Sequence, residues 1–158
     1  AHPYSPSNTN STQSNEGTLA LTIDNLDTTR QNMRNLTDDR GNLLGVNPNM
    51  LLVPPELERT ATQLVSERAL YEPNSAEYNI NMMAGRFTPV VWDRLTDSNA
   101  WFVIDSALMK SHLIWQWRVP PEFAQAENFD GLTAKYRGYM RYGVGWTDFR
   151  WIFGQNPS

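Results

Sequence analysis

The sequence predicts an α+β fold: a central mixed β-sheet flanked by helices, with long strands near the C-terminus. Three observations carry this. The apolar run Met50 to Val53 leads through Pro54-Pro55 into a segment whose Leu57, Ala61, Leu64 and Val65 share one helical face. Period-two alternation marks residues 113–119 and again 135–146. The order of helix, strand, helix and then several strands departs from the strict βαβ alternation of a parallel sheet.

Ala1 to Gly17 holds two Pro, no periodicity and almost no apolar content, so residues 1–17 read as an extended arm or loop. Residues 18–158 then form one α+β domain, a size that buries roughly two thirds of the unfolded surface. Leu19, Leu21 and Ile23 alternate and predict an edge strand. Asp24 or Asn25 is placed to cap a helix from Leu26 to Leu36, with Leu26, Met33 and Leu36 on one face. Gly41 after Leu-Thr-Asp-Asp-Arg suits a turn.

The Met50 to Val53 run predicts a buried strand. Pro55 fits the first turn of a second helix, where its missing donor costs nothing, and Glu56 and Glu58 sit where the helix dipole favours negative charge. Its face extends to Arg68 and it ends before Pro73. Tyr71 to Ala84 is polar, with one Pro and three Asn, and predicts a long exposed loop. Three strand-like runs follow, Arg86 to Leu95, Ala100 to Asp105 and Leu113 to Val119, which together imply a sheet. In the third, Trp115 and Trp117 point to one buried face, and the run stops at Pro120-Pro121. From Lys135 to Trp146, one face carries Tyr136, Met140, Tyr142, Val144 and Trp146. Lys135, Arg137, Tyr139 and Arg141 fall on the other, as in a half-exposed strand.

Composition excludes several functions. A net charge of −4 gives no overall electrostatic footprint for tight, direct nucleic-acid binding. Zero cysteines rule out disulfides, thiolate zinc and a cysteine nucleophile. No apolar run of transmembrane length exists and the first 20 residues lack a secretory apolar core, so a soluble, unsecreted chain with no membrane partner is expected.

Catalytic constellations are missing. His2 and His112 are the two imidazoles, too few for a histidine metal site or a triad, and His112 reads as a turn residue. Asp38-Asp39-Arg40-Gly41-Asn42 lacks the alternating Asp and terminal Glu of a calcium loop and reads as a solvated turn. Gly143-Val144-Gly145 lacks the helix a phosphate site needs, and its glycines read as a bulge or relief of crowding. Asp93 and Asp97 read as turn carboxylates rather than a glycosidase pair. The expectation is no enzyme, no cofactor, no metal and no small-molecule substrate. The Trp and Tyr content fits a core or a subunit interface; an aromatic platform for sugars or single-stranded nucleic acid is the alternative.

Three segments in order resemble the tailed-phage major capsid proteins with the Hong Kong 97 fold, especially the head subunit of Mu-like prophages. The first is His2-Pro3 followed by a Ser/Asn-rich stretch and LTIDNLDTTRQNMRNLTDDRGN. The second, NPNMLLVPPEL from Asn47 to Leu57, is similar to that family's strand-to-helix junction. The third is VVWDRLTDSNAWFVID, from Val90 to Asp105.

The resemblance implies the axis-facing domain of that fold together with its returning C-terminal strands. It also implies a structural subunit of an icosahedral phage head, self-assembling as pentamers and hexamers around DNA, located in the virion capsid and assembled in the host cytoplasm. By that likeness the chain begins just after the spine helix, without the N-terminal arm and hairpin loop, and by itself is expected to be a monomer or weak oligomer. Tyr71, Glu72, Asn74, Glu77 and Tyr78 are the candidate capsomer-interface residues. A carbohydrate-binding module using exposed Trp and Tyr, and an encapsulin-like compartment shell, are the alternatives.

Overall fold

A computed structural model describes residues 2–5, 8–38, 40–66, 81, 83–128, 130, 131 and 133–157. It is α+β, with a mixed five-stranded sheet, helices and long C-terminal strands, as the sequence predicts. Two compact units emerge, one of residues 1–109 and 149–158, the other of residues 110–148.

The first unit opens with β1 (His2–Ser5) and β2 (Asn8–Gln13), paired antiparallel. β3 (Glu16–Gly17) then pairs in parallel with a strand from the far end of the chain. α1 runs Ile23–Arg34. Its cap is Thr22, whose Oγ1 accepts from the Asn25 amide at 3.2 Å, so the helix starts three residues earlier than the expected Leu26. The expected edge strand through Leu19, Leu21 and Ile23 does not form. Leu21 is buried and Ile23 packs against the same core, which makes the alternation the entry to a helix. Leu26 and Met33 are fully buried, and Thr29 between them is also buried.

After α1 the Asp38–Asn42 turn closes an isolated bridge between Thr37 and Leu43, with Gly41 at φ 88°. β4 (Met50–Val53) is a central strand. A 3-10 turn, Pro55–Leu57, leads into α2 (Glu58–Val65). Ala61, Leu64 and Val65 are buried and Leu57 packs against them, so the predicted face is the real one; Arg68 lies outside the described residues. Asn81 and Met83, read from sequence as part of an exposed loop, are buried. The Asn81 amide donates to the carbonyls of Leu64 (2.8 Å) and Ser66 (3.1 Å), satisfying groups the end of α2 leaves open. Residues 71–80 and Met82, the rest of that loop apart from Ala84, lie outside the described residues.

β5 (Thr88–Val91) and β6 (Trp101–Ile104) flank β4, parallel and antiparallel respectively. α3 (Ser106–His112) follows. Its start is fixed by buried Asp105, whose carboxylate accepts from the amides of Ala107, Leu108 and, across the chain, Asn47. The second unit is one hairpin of β7 (Leu113–Asn128) and β8 (Thr133–Trp146). β9 (Ile152–Gln155) returns to the first unit and lies between β3 and β6, giving the order β3-β9-β6-β4-β5.

Register puts Leu51, Val53, Trp101, Val103 and Phe153 on one face of this sheet, and they form a single cluster with Leu26, Met33, Ala61, Leu64 and Val65. The helices therefore cover the sheet from one side. Burying this set is what holds the unit together, at roughly 1.5–3 kcal/mol per large apolar side chain.

Candidate functional site

The hairpin of the second unit presents a broad exposed surface. The run that begins at Leu113 does not stop at Pro120-Pro121 and does not join the five-stranded sheet. It continues to Asn128 and pairs with β8 alone. A two-stranded ribbon has an open edge on each strand, and proline lacks the amide an inner strand must donate, so the prolines are tolerated there. The register shifts between Trp117 and Val119 and again between Val119 and Glu122 absorb them.

The expected buried face of the hairpin is exposed. Trp115 is 54% and Trp117 47% accessible. Cross-strand pairing sets Leu113 beside Trp146, Trp115 beside Val144 and Trp117 beside Tyr142. Farther out Phe123 pairs with Gly138, so Phe123, Met140 and Tyr136 continue the same aromatic face, all exposed. The rings hold each other. Trp115 stacks on Tyr142 with centroids 4.4 Å apart and planes 12° from parallel, and Trp117 meets both edge-on at 5.7 and 5.9 Å. Such a width of apolar surface is more than a solitary two-stranded ribbon keeps in water.

The opposite face is basic. Lys135, Arg137, Tyr139 and Arg141 alternate along β8 and are all exposed, as is Arg118 on β7. Gly143 and Gly145 lie on this side. A Cβ at either would meet nothing within 4 Å, and the ladder is regular there, so neither a bulge nor crowding accounts for them. At the base of the hairpin His112 Nδ1 and Thr147 Oγ1 are 2.9 Å apart, and the Thr147 amide donates to the His112 carbonyl. His112 thus closes a structural contact at a helix end.

The other candidates resolve as structure. Asp38 accepts from the amides of Arg40 (2.8 Å) and Asn42 (2.9 Å) and from the Asn42 side chain (3.0 Å). These bonds, the side-chain one foremost, hold its carboxyl below the ordinary value. Asp97 Oδ1 accepts from the Asn99 amide, as a turn carboxylate does. Among the described residues no group of three His, Cys, Asp or Glu is placed to hold a metal, and no helix is long and apolar enough to cross a membrane. Tyr71, Glu72, Asn74, Glu77 and Tyr78 all lie outside the described residues.

Sequence reasoning found the aromatic and basic faces of β8 residue by residue but misjudged the exposure of the aromatic one. The signal was present: the alternation over residues 135–146 is twelve residues long, against four residues or fewer in each strand of the main sheet, and so long a strand needs another long strand as its partner.

A family model described as "Phage capsid protein" matches residues 2–154. The chain belongs to that family. A phage capsid protein is a structural component of the virion shell, where it assembles with copies of itself. A search of curated proteins gives no match.

Proposed function

We propose that this phage capsid protein is the major head subunit of a tailed phage, built on the Hong Kong 97 fold in the manner of Mu-like prophages. Many copies assemble as pentamers and hexamers into an icosahedral shell enclosing DNA. The family match across residues 2–154 carries the reading. The aromatic face of the hairpin supports it, because exposed Trp, Tyr and Met in one continuous patch are the residues that protein interfaces bury. Residues 18–158 act as one building block in this reading, and residues 1–17 as an arm. Tyr71, Glu72, Asn74, Glu77 and Tyr78 are our candidates for contacts around the capsomer axis, on the family resemblance alone.

The reading is tested by expressing the full gene and imaging the product. Closed particles of uniform diameter that protect DNA from nuclease are the expected result. Soluble monomers with no particles under any assembly condition contradict it, and particles that enclose a protein cargo without DNA favour a compartment shell.

One observation favours a second reading, a sugar-binding platform: Trp115 and Trp117 are open to solvent. Against it, Trp115 and Tyr142 spend one ring face on each other, and the hairpin's open depression is on the side of Ile114, Gln116 and Arg118. Saturable tryptophan fluorescence changes on titration with oligosaccharides would support the platform.

A further inference from the structure

We propose that the basic face of the β7–β8 hairpin is a contact surface for the phosphate backbone of DNA. The inference rests on the shell reading above and names the surface that meets the contents. Strand alternation places Lys135, Arg137, Tyr139 and Arg141 on one side of β8, and the register sets Ala126, Ala124 and Glu122 opposite the first three. Two alanines as neighbours leave the Lys135 and Arg137 side chains unobstructed. Arg118 and Arg141 border an open depression of about 700 Å3 that is also lined by Gly143 and Gly145. With no side chains at those positions the backbone itself is open to close approach.

Four cations thus share a face with one carboxylate, Glu122. None of the four is ion-paired among the described residues, so their charge is not spent within the hairpin. The contrast with the rest of the chain is large. Residues 110–148 hold five basic and four acidic side chains, while the remainder carries the whole negative balance, −5 of a total of −4. Positive charge is concentrated on the one face where alternation aligns it.

The geometry suits a polyanion. Alternate side chains on a strand stand about 6.7 Å apart, so Lys135 to Arg141 makes a row roughly 20 Å long. Duplex DNA presents one charge per ~1.7 Å of axis, so such a row always finds phosphates in reach without needing a particular sequence or register. Tyr139 sits between Arg137 and Arg141, where a phenol hydroxyl can donate to a phosphate oxygen. Carboxylates scattered over a second protein copy would have to match the row's spacing; a phosphate backbone need not. Four contacts on an acidic chain make a weak, salt-sensitive attraction, which accords with a charge balance that excludes tight binding.

The test uses the whole 158-residue chain and a labelled DNA duplex of random sequence, followed by fluorescence anisotropy across a salt series. Weak binding at low salt is expected, with log K falling against log salt at a slope of roughly −3. Arg137→Glu/Arg141→Glu should weaken it by about tenfold or more, and Arg137→Gln/Arg141→Gln by less, with circular dichroism unchanged in both. Undiminished binding by the Glu variant overturns the proposal, as does no binding by the parent chain at low salt. If the parent instead shows salt-sensitive self-association that the Glu variant loses, without binding DNA, the face meets an acidic surface of a second copy and the proposal fails. Should the full gene still form closed particles in any of these cases, the shell reading survives and this inference alone is lost.

Discussion

Gln155 Nε2 donates to Thr29 Oγ1 at 2.8 Å in the interior of the first unit, joining the last strand of the sheet to the helix that covers it. Gln155 is 1% accessible, and its polar atoms are used on both sides: Oε1 accepts from the Leu19 amide at 2.9 Å. Thr29 Oγ1 in turn donates to the Asn25 carbonyl at 2.7 Å, and Trp101 Nε1 donates to the Leu19 carbonyl at 2.9 Å. This network ties β9, α1, β6 and the lead-in to α1 together.

Gln155→Ala is therefore expected to destabilise the chain by about 1–3 kcal/mol, because it removes the partners of the part-buried Leu19 amide and of the buried Thr29 hydroxyl. Urea denaturation measures it. In a double-mutant cycle with Thr29→Val the two losses should add to less than their sum; simple additivity would mean that the hydrogen bond contributes nothing.

Gly17 packs directly on the Gln155 side chain, and a Cβ there would collide with its amide. Gly17→Ala should cost about 1–3 kcal/mol through overpacking. Gly143→Ala, where a Cβ meets nothing within 4 Å, should change the melting midpoint little. Equal effects at the two positions would contradict the close approach of β3 to β9.

Leu64 lies in the core cluster between α2 and the sheet, 8% accessible. Leu64→Ala should lose about 2–5 kcal/mol, the range for a buried leucine truncation. A loss below about 0.5 kcal/mol would mean the α2 face is not packed as described.

Asp38 links folding to pH. Its carboxyl is held below the ordinary 3.8, chiefly by the Asn42 side chain, so the folded state favours the ionised form. A group depressed in this way contributes stability that is present above 3.8 and lost as pH falls through its folded value. Asp38→Asn should therefore flatten the stability profile below that pH and leave the slope between pH 5 and 8 unaltered. A variant as acid-sensitive as the parent would show that the turn plays no part.

Zinc, calcium and nucleotides should leave the melting temperature unchanged, since any ligand of the native state raises it by mass action. A saturable shift with one of them would reopen the question of catalysis.

The sequence by itself determined the elements with strong local signals. Met50 to Val53 had to be a buried strand because four apolar residues run straight into two prolines. Leu57, Ala61, Leu64 and Val65 had to face a core, because helical periodicity gives them one side. Both faces of β8 were legible from alternation alone, and the absence of cysteine excluded disulfides and thiolate chemistry. Tertiary structure decided what local signals leave degenerate. Leu19, Leu21 and Ile23 alternate like a strand, yet Thr22 caps a helix there because Glu16 and Gly17 take the place beside β9. Trp115 and Trp117 share a face in either reading, but alternation says only that they point together, not whether a second layer covers them. Asn81 looked like loop polarity until the fold brought it to the carbonyls at the end of α2. Burial is a property of what arrives from elsewhere in the chain, or from another chain, and periodicity carries no record of the partner.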